Sequence, residues 1–269
     1  MPITKSEELG MKNLLMKRTI QVILIFLVSQ LSIVNYILVS AQNYKVQSMR
    51  WKRVEVTAKL DSTPSVEAMA LVAPYKASVD SMMAPVLGLS RVAMSVKRPE
   101  SLLSNWAADV MVEGSTATGL PAADMGLVNI GGLRNNMPEG IVTCGDIILI
   151  SPFENQLVVL EMKGKDMLEL MHNIAAVGGE GVSSSVRMVI SKDRKLISAT
   201  INGEKISRKR TYTVATLDYL AEGNDKMYAL KKAKKRHEIG LKTREVLMES
   251  VLKHRIIDSK IEGRIVIEN

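Results

Sequence analysis

At 269 residues the chain is long enough to bury a core, as one domain or two small ones, and 46% apolar with 24% charged residues excludes a disordered chain. A net charge of +8 and a pI near 9.5 favour anionic partners without choosing among phosphate esters, nucleic acid and membrane surface. The single cysteine, Cys144, excludes an intrachain disulfide and a zinc site of paired cysteines, and only three histidines are present: His172, His237 and His254.

Residues 1–41 read as an export signal rather than as part of a fold. Lys12, Lys17 and Arg18 precede the apolar run "IQVILIFLV", Ile20 to Val28, and Val39, Ser40 and Ala41 offer a small-residue cleavage site that leaves Gln42 as the new N-terminus. Met11 is an alternative start that gives a signal of more ordinary length. An uncleaved anchor through Ala41 is the competing reading, but Gln21, Ser29, Gln30, Ser32 and Asn35 interrupt the span and favour cleavage. No cysteine lies near the site, which excludes a lipoprotein anchor, and cleavage lowers the net charge by two, to about +6.

Residues 42–95 form an N-terminal strand and helix extension expected to pack on the main domain. "YKVQSMRWKRVEVTAKL" is strand-like, with Trp51 among Arg50, Lys52 and Arg53 on a solvated edge, which argues against nucleic acid in the absence of a second aromatic. "EAMALVAPYKASVDSMMAPVLG" has helical spacing interrupted by Pro74 and Pro85. A helix from Pro99 follows, with Leu102, Leu103, Trp106, Ala107, Val110 and Met111 on one face and Pro99 in its first turn.

The strand "GLVNI" leads into a glycine turn. Thr143 and Asp146 form a capping pair that starts a short helix. "NQLVVLEM" reads as a strand and "KDMLELMHNIAAV" as an amphipathic helix ended by Gly178 and Gly179, with His172 on it as a structural or surface residue. Strands are expected around "VRMVIS" and "KLISATI", with a tight turn at Asn202-Gly203. "TYTVATLDYLAEGND" is a strand entering a polar loop. The basic run "KKAKKRH", Lys231 to His237, is expected on a helix as a solvated face, and "GRIVIE" closes the chain as a strand. Residues 96–269 thus read as one α+β domain. The 17 methionines are read as adaptable core filling.

Several segments have a composition suited to holding a nucleotide. Asn129 and Arg134 flank the turn of Gly131 and Gly132; Phe153 and Asn155 sit at a helix-to-strand junction; Tyr219 precedes the loop of Gly223 and Asp225; Lys97 and Arg98 stand before the first secure helix. Two aromatic faces can stack on a base, and guanidinium or ammonium groups can meet phosphate oxygens.

Their order adds to this. "ESLLSNWAADVM", "VNIGGLR", "GIVTCGDIILISPFENQLVVLEMKGKDMLELM" and "YTVATLDYLAEGND" together resemble the C-terminal domain of the 5′-nucleotidase family over about residues 96–269. The resemblance implies an α+β fold, a single domain of mixed sheet and helices that binds the nucleoside part of the substrate. It makes Phe153 and Tyr219 the two rings that sandwich the base. Asn129, Arg134 and Asn155 become polar contacts around the Gly131-Gly132 turn, Asp225 meets the sugar, and Lys97 falls where the family often has a phosphate-facing arginine. Three departures stand out. The family's Gly-Gly-Asp-Gly loop is "GNDK", Gly223 to Lys226, here; Tyr219 replaces the usual phenylalanine; and Glu154 sits where glycine is common.

The family's metallophosphatase domain, with its Asp-x-His, Gly-Asn-His-Asp/Glu and Gly-His-x-His motifs, has no counterpart in this sequence, and residues 42–95 are too few to hold it. His237 and His254 sit among basic residues, which disfavours a cation. The expectation is the nucleotide- or nucleoside-binding half of a split exported 5′-nucleotidase of the periplasm or cell envelope, inactive alone. No cofactor is expected in this chain, and a divalent metal only on a separate metallophosphatase partner. Nucleic acid is not expected as a partner, and the membrane only through the export signal. The alternatives are a stand-alone nucleotide-binding module and a degenerate interaction protein of the envelope.

Overall fold

A computed structural model describes residues 5–40, 46–62 and 65–268. The chain divides into two units, Met1–Pro64 and Ser65–Asn269. In the first, α1 (Lys5–Ser40) contains one stretch, Gly10–Leu31, long and apolar enough to cross a membrane, and the residues of that stretch are exposed. The candidate cleavage junction, Ala41 and Gln42, lies outside the described residues. Residues 46–57 form no strand, contrary to the strand-like expectation, and a 3₁₀ turn follows at Ala58–Ser62. Every residue of 46–57 is exposed, with Trp51 at 83%, and among the described residues no strand pairs with this segment, so the alternation at Val54 and Val56 has no partner to hold it extended.

The second unit begins with α2 (Val66–Met83), capped by the Ser65 side chain. Pro74 does not interrupt it as expected; the helix runs through Pro74 and stops just ahead of Pro85. β1 (Val86–Ser90) follows, then α3 (Leu102–Gly114). Its buried face of Leu103, Trp106, Ala107, Val110 and Met111 is the one the spacing gives, but it starts three residues beyond Pro99, with Ser101 at the N-cap. Next come β2 (Met125–Val128), β3 (Gly140–Thr143), α4 (Cys144–Ile150), β4 (Gln156–Lys163) and α5 (Gly164–Ala176). Thr143 and Asp146 form the expected capping box, each side chain bonded to the other's backbone N–H.

β5 (Gly181–Val182), β6 (Val186–Ser191), β7 (Leu196–Ile201) and β8 (Glu204–Lys205) follow, the last two joined through Asn202 and Gly203, both at positive φ. Then come β9 (Thr211–Leu217), α6 (Asp218–Ala221), β10 (Lys235–Lys242), α7 (Thr243–His254), β11 (Ile256–Ile257) and β12 (Ile265–Glu268). The basic run 231–237 is not a helix. It spans the end of a 3₁₀ turn and the start of β10, where Lys234 N–H bonds the Glu161 carbonyl and Lys235 pairs with Glu161 in register. Pairing with β4 outweighs the weak local preference of lysine for helix.

The strands form three sheets, ordered β11-β1-β3, β10-β4-β9-β2-β5 and β12-β6-β7-β8. One apolar core joins them, with fully buried methionines at 94, 111, 125, 137, 162 and 167, so methionine does fill the interior. The five-stranded sheet sets up the site. β2 and β9 are parallel neighbours, so their C-terminal ends share one edge; β4 is antiparallel to β9, so its N-terminal end lies there too. Three separated loops therefore meet at that edge: 129–134 after β2, 151–155 before β4, and 218–226 after β9.

Candidate binding site

The loop after β2 turns through a short 3₁₀ segment, Ile130–Gly132, tied to α4 by a 2.8 Å bond from Arg134 N–H to the Ile150 carbonyl. A Cβ on Gly132 would stand 2.6 Å from Asn129 Oδ1, so glycine is needed for the close approach. Asn129 is nearly buried and donates from Nδ2 to Asp225 Oδ2 at 2.6 Å. Because a carboxylate only accepts, this bond fixes the amide orientation and turns Oδ1 away, where it is buried without a partner.

Tyr219 approaches Asp225 from the other side, its hydroxyl 3.1 Å from Oδ1. That bond to a carboxylate, with the charge behind it, raises the tyrosine pKa. Opposite stands the loop before β4. Asn155 gives its carbonyl to both the N–H and the hydroxyl of Thr243, which locks this loop to the start of α7.

A cavity of about 370 Å³ is lined by Asn129, Gly131, Gly132, Arg134, Phe153, Asn155, Tyr219 and Asp225. These are eight of the residues singled out in the sequence; Gly223, Lys97 and Arg98 do not line it. Lys97 lies in a separate depression with Ile261, Ile265 and Ile267. Arg98 does not reach the cavity lining but is engaged behind it. Its guanidinium pairs with Glu180 and donates from Nε to the Gly179 carbonyl at 2.8 Å. Glu180 in turn accepts from Ile130 N–H at 2.6 Å, so Arg98 braces the Asn129 loop from behind. Burial pushes the Glu180 pKa up; the Ile130 and Arg98 contacts oppose this and the Asp225 charge adds to it, with burial winning.

Glu154 does not leave a bare negative charge at the site. Lys242, at 2.5 Å, and Arg244 both pair with it, and their hydrogen bonds lower its pKa. These cations are brought there by the β10–β4 pairing, since Lys242 is in register with Gln156. Sequence reasoning missed this part because α7 was not recognised. The signal was present: Val246, Leu247, Ser250 and Val251 recur at helical spacing and are buried.

Two aromatic side chains around one cavity suit a flat ring, Asp225 suits hydroxyl donors, and Arg134 suits an anion. A larger depression, about 580 Å³, lies beside α3, α7 and β11, but its principal charges are matched within the protein: Asp109 with Arg264, and Glu113 with Lys253 and His254. The smaller cavity is the better ligand site. His237 and His254 do not stand in purely basic surroundings, since each contacts a carboxylate: Glu161 at 2.9 Å and Glu113 at 3.0 Å. Both are two-member pairs. Among the described residues no three His, Cys, Asp or Glu side chains are grouped to hold a metal ion, so the residues do not fit a two-metal centre.

Comparison with known proteins gives the same outline. The family described as 5′-nucleotidase, C-terminal domain, matches residues 81–232. An apyrase of Tabanus yao is 28% identical over 161 residues, covering 52% of this chain and 29% of the apyrase. The trifunctional nucleotide phosphoesterase protein YfkN of Bacillus subtilis is 26% identical over 219 residues, covering 74% of this chain and 15% of YfkN. A 5′-nucleotidase precursor from Thermus thermophilus superposes with a TM-score of 0.67 at 26% identity, over 76% of this chain and 43% of that one. The chain thus spans less than half the length of each of these proteins.

Proposed function

The chain belongs to the family of 5′-nucleotidase C-terminal domains, a family of nucleotide catabolism, and from that premise we propose that it is the nucleotide-binding half of a split exported 5′-nucleotidase. The observation that carries this reading is the single cavity in which Phe153, Tyr219, Asn129, Arg134 and Asp225 meet. The base stacks between Phe153 and Tyr219, the sugar hydroxyls meet Asp225, and Arg134 takes an anionic oxygen. Hydrolysis needs a two-metal centre, which a separate metallophosphatase chain supplies with its own divalent ions. This chain binds and orients the nucleotide, and no bond-breaking step is assigned to it. The basic leader and apolar stretch of α1 support export to the periplasm or envelope.

The test mixes this protein with a candidate exported metallophosphatase and follows phosphate release from AMP. The expected result is a higher rate or a lower KM than with the partner alone. Unchanged kinetics across nucleotides would sink the split-enzyme reading. A stand-alone nucleotide-binding module is the second reading. It predicts nucleotide binding by the isolated chain with no effect on any metallophosphatase.

A further inference from the structure

The loop carrying Asp225 follows a backbone path that its own residues disfavour. Gly223 has φ 80°, which glycine adopts freely, but Asp225 at 50° and Lys226 at 67° lack that freedom. Aspartate tolerates the left-handed region better than most residues, whereas lysine has no side-chain compensation for the crowding between its Cβ and carbonyl. Without restraint, a loop of this sequence moves back toward right-handed geometry and carries the Asp225 carboxylate with it.

The restraints can be traced. Asn224 Nδ2 donates to the Tyr219 carbonyl at 2.8 Å, and Met227 N–H bonds the Asn224 carbonyl at 3.0 Å while its side chain is fully buried. These hold the ends of the loop. The carboxylate itself is held at both oxygens, by Asn129 on Oδ2 and by the Tyr219 hydroxyl on Oδ1. With one oxygen bonded, a carboxylate can still turn about that contact; with both bonded, its plane is set. Phenylalanine at 219 would keep the ring and the carbonyl and lose only this second bond.

We propose that the Tyr219 hydroxyl is a positioning group. It holds Asp225 in its left-handed loop against the backbone preference of Lys226, so affinity for the sugar depends on the hydroxyl while affinity for the base depends on the ring. The inference rests on the nucleoside reading above, because it gives Asp225 a sugar to meet.

Calorimetric titration with adenosine, guanosine, cytidine and uridine, and with their free bases, tests this in wild type, Tyr219→Phe and Tyr219→Phe/Lys226→Gly. The readout is the ratio of nucleoside to free-base affinity within each protein, with the free base reporting the ring that Tyr219→Phe keeps. Tyr219→Phe should weaken the nucleoside about tenfold, the effect of one charge-assisted hydrogen bond. Lys226→Gly should restore most of it, by making the left-handed path easy. Unchanged nucleoside affinity in Tyr219→Phe, or an equal loss for nucleoside and base, would overturn the role of the hydroxyl. A tenfold loss with no rescue would mean that the hydroxyl touches the ligand directly, which also overturns positioning. No binding of any nucleoside or base by the wild type would overturn the nucleoside reading itself.

Discussion

Asn129 and Asp225, 96 positions apart in the chain, meet through a 2.6 Å hydrogen bond that joins the loop after β2 to the loop after β9. Neither wall of the cavity is therefore set by its own strand alone. The geometry depends on the glycine that lets Asn129 lie flat against its turn.

Replacing that glycine gives a direct test. In Gly132→Ala the new Cβ would lie 2.6 Å from Asn129 Oδ1, and the amide must move off Asp225. Nucleoside affinity should fall about tenfold or more, and urea unfolding should show a loss of about 1–3 kcal/mol for the overpacking. Gly131→Ala is the control, because nothing lies within 4 Å of its added Cβ and its φ is ordinary. Its urea midpoint should not move.

Phe153 and Tyr219 are 45% and 39% exposed, so neither is a core residue. Alanine at either position should leave the melting temperature nearly unchanged; Phe153→Ala should remove about 1–3 kcal/mol of nucleoside binding, the usual worth of one base–aromatic stack, and Tyr219→Ala should remove more, since it loses the hydroxyl on Asp225 as well as the ring. Calorimetry with matched thermal melts checks both halves. A large drop in melting temperature would place the rings in the fold rather than in the site.

Glu154 is expected to act as a brake on anion binding. With Glu154→Gln, Lys242 and Arg244 lose their common partner beside Phe153 and Asn155. The ratio of AMP to adenosine affinity should rise at low ionic strength and return toward wild type in about 1 M salt. The variant should melt at about the wild-type temperature, since all three side chains are near the surface.

Glu180 links the site to pH. Its folded pKa lies above the ordinary glutamate value, mainly because it is buried, so the folded protein keeps this proton after the unfolded chain has released it. Its contribution to stability is fully present below about pH 4.5, the ordinary value, declines as pH rises through the folded pKa, and is level beyond it. Urea midpoints of wild type and Glu180→Gln between pH 4 and 7 should differ by this decline, which the glutamine variant lacks.

Most of the fold was legible where structure is decided locally. The Thr143–Asp146 box, the amphipathic pattern from Lys165 to Ala176 and the Asn202-Gly203 turn all act within a few residues. The eight lining residues were legible for another reason, the order of motifs shared with a known family. Sequence failed where distant partners decide. Residues 231–237 become turn and strand because β4 offers an edge, and Lys97 lines a separate depression with Ile261, Ile265 and Ile267 although it adjoins Arg98, which braces the site. The pairing of Glu154 was also hidden, since its cations lie about 90 positions away.

The order of the strands has a practical consequence for anyone who cuts or fuses this gene. The stretch that matches the family ends at residue 232, yet β10, β11 and β12 each form the outer strand of a different sheet. A clone trimmed to residues 81–232 would bare β4, β1 and β6 together and discard the buried Leu247, Val251 and Ile265. Open strand edges and an uncovered core are what drive a shortened product into inclusion bodies. The portable cassette extends at least to Glu268, and a tag or fusion partner belongs beyond it.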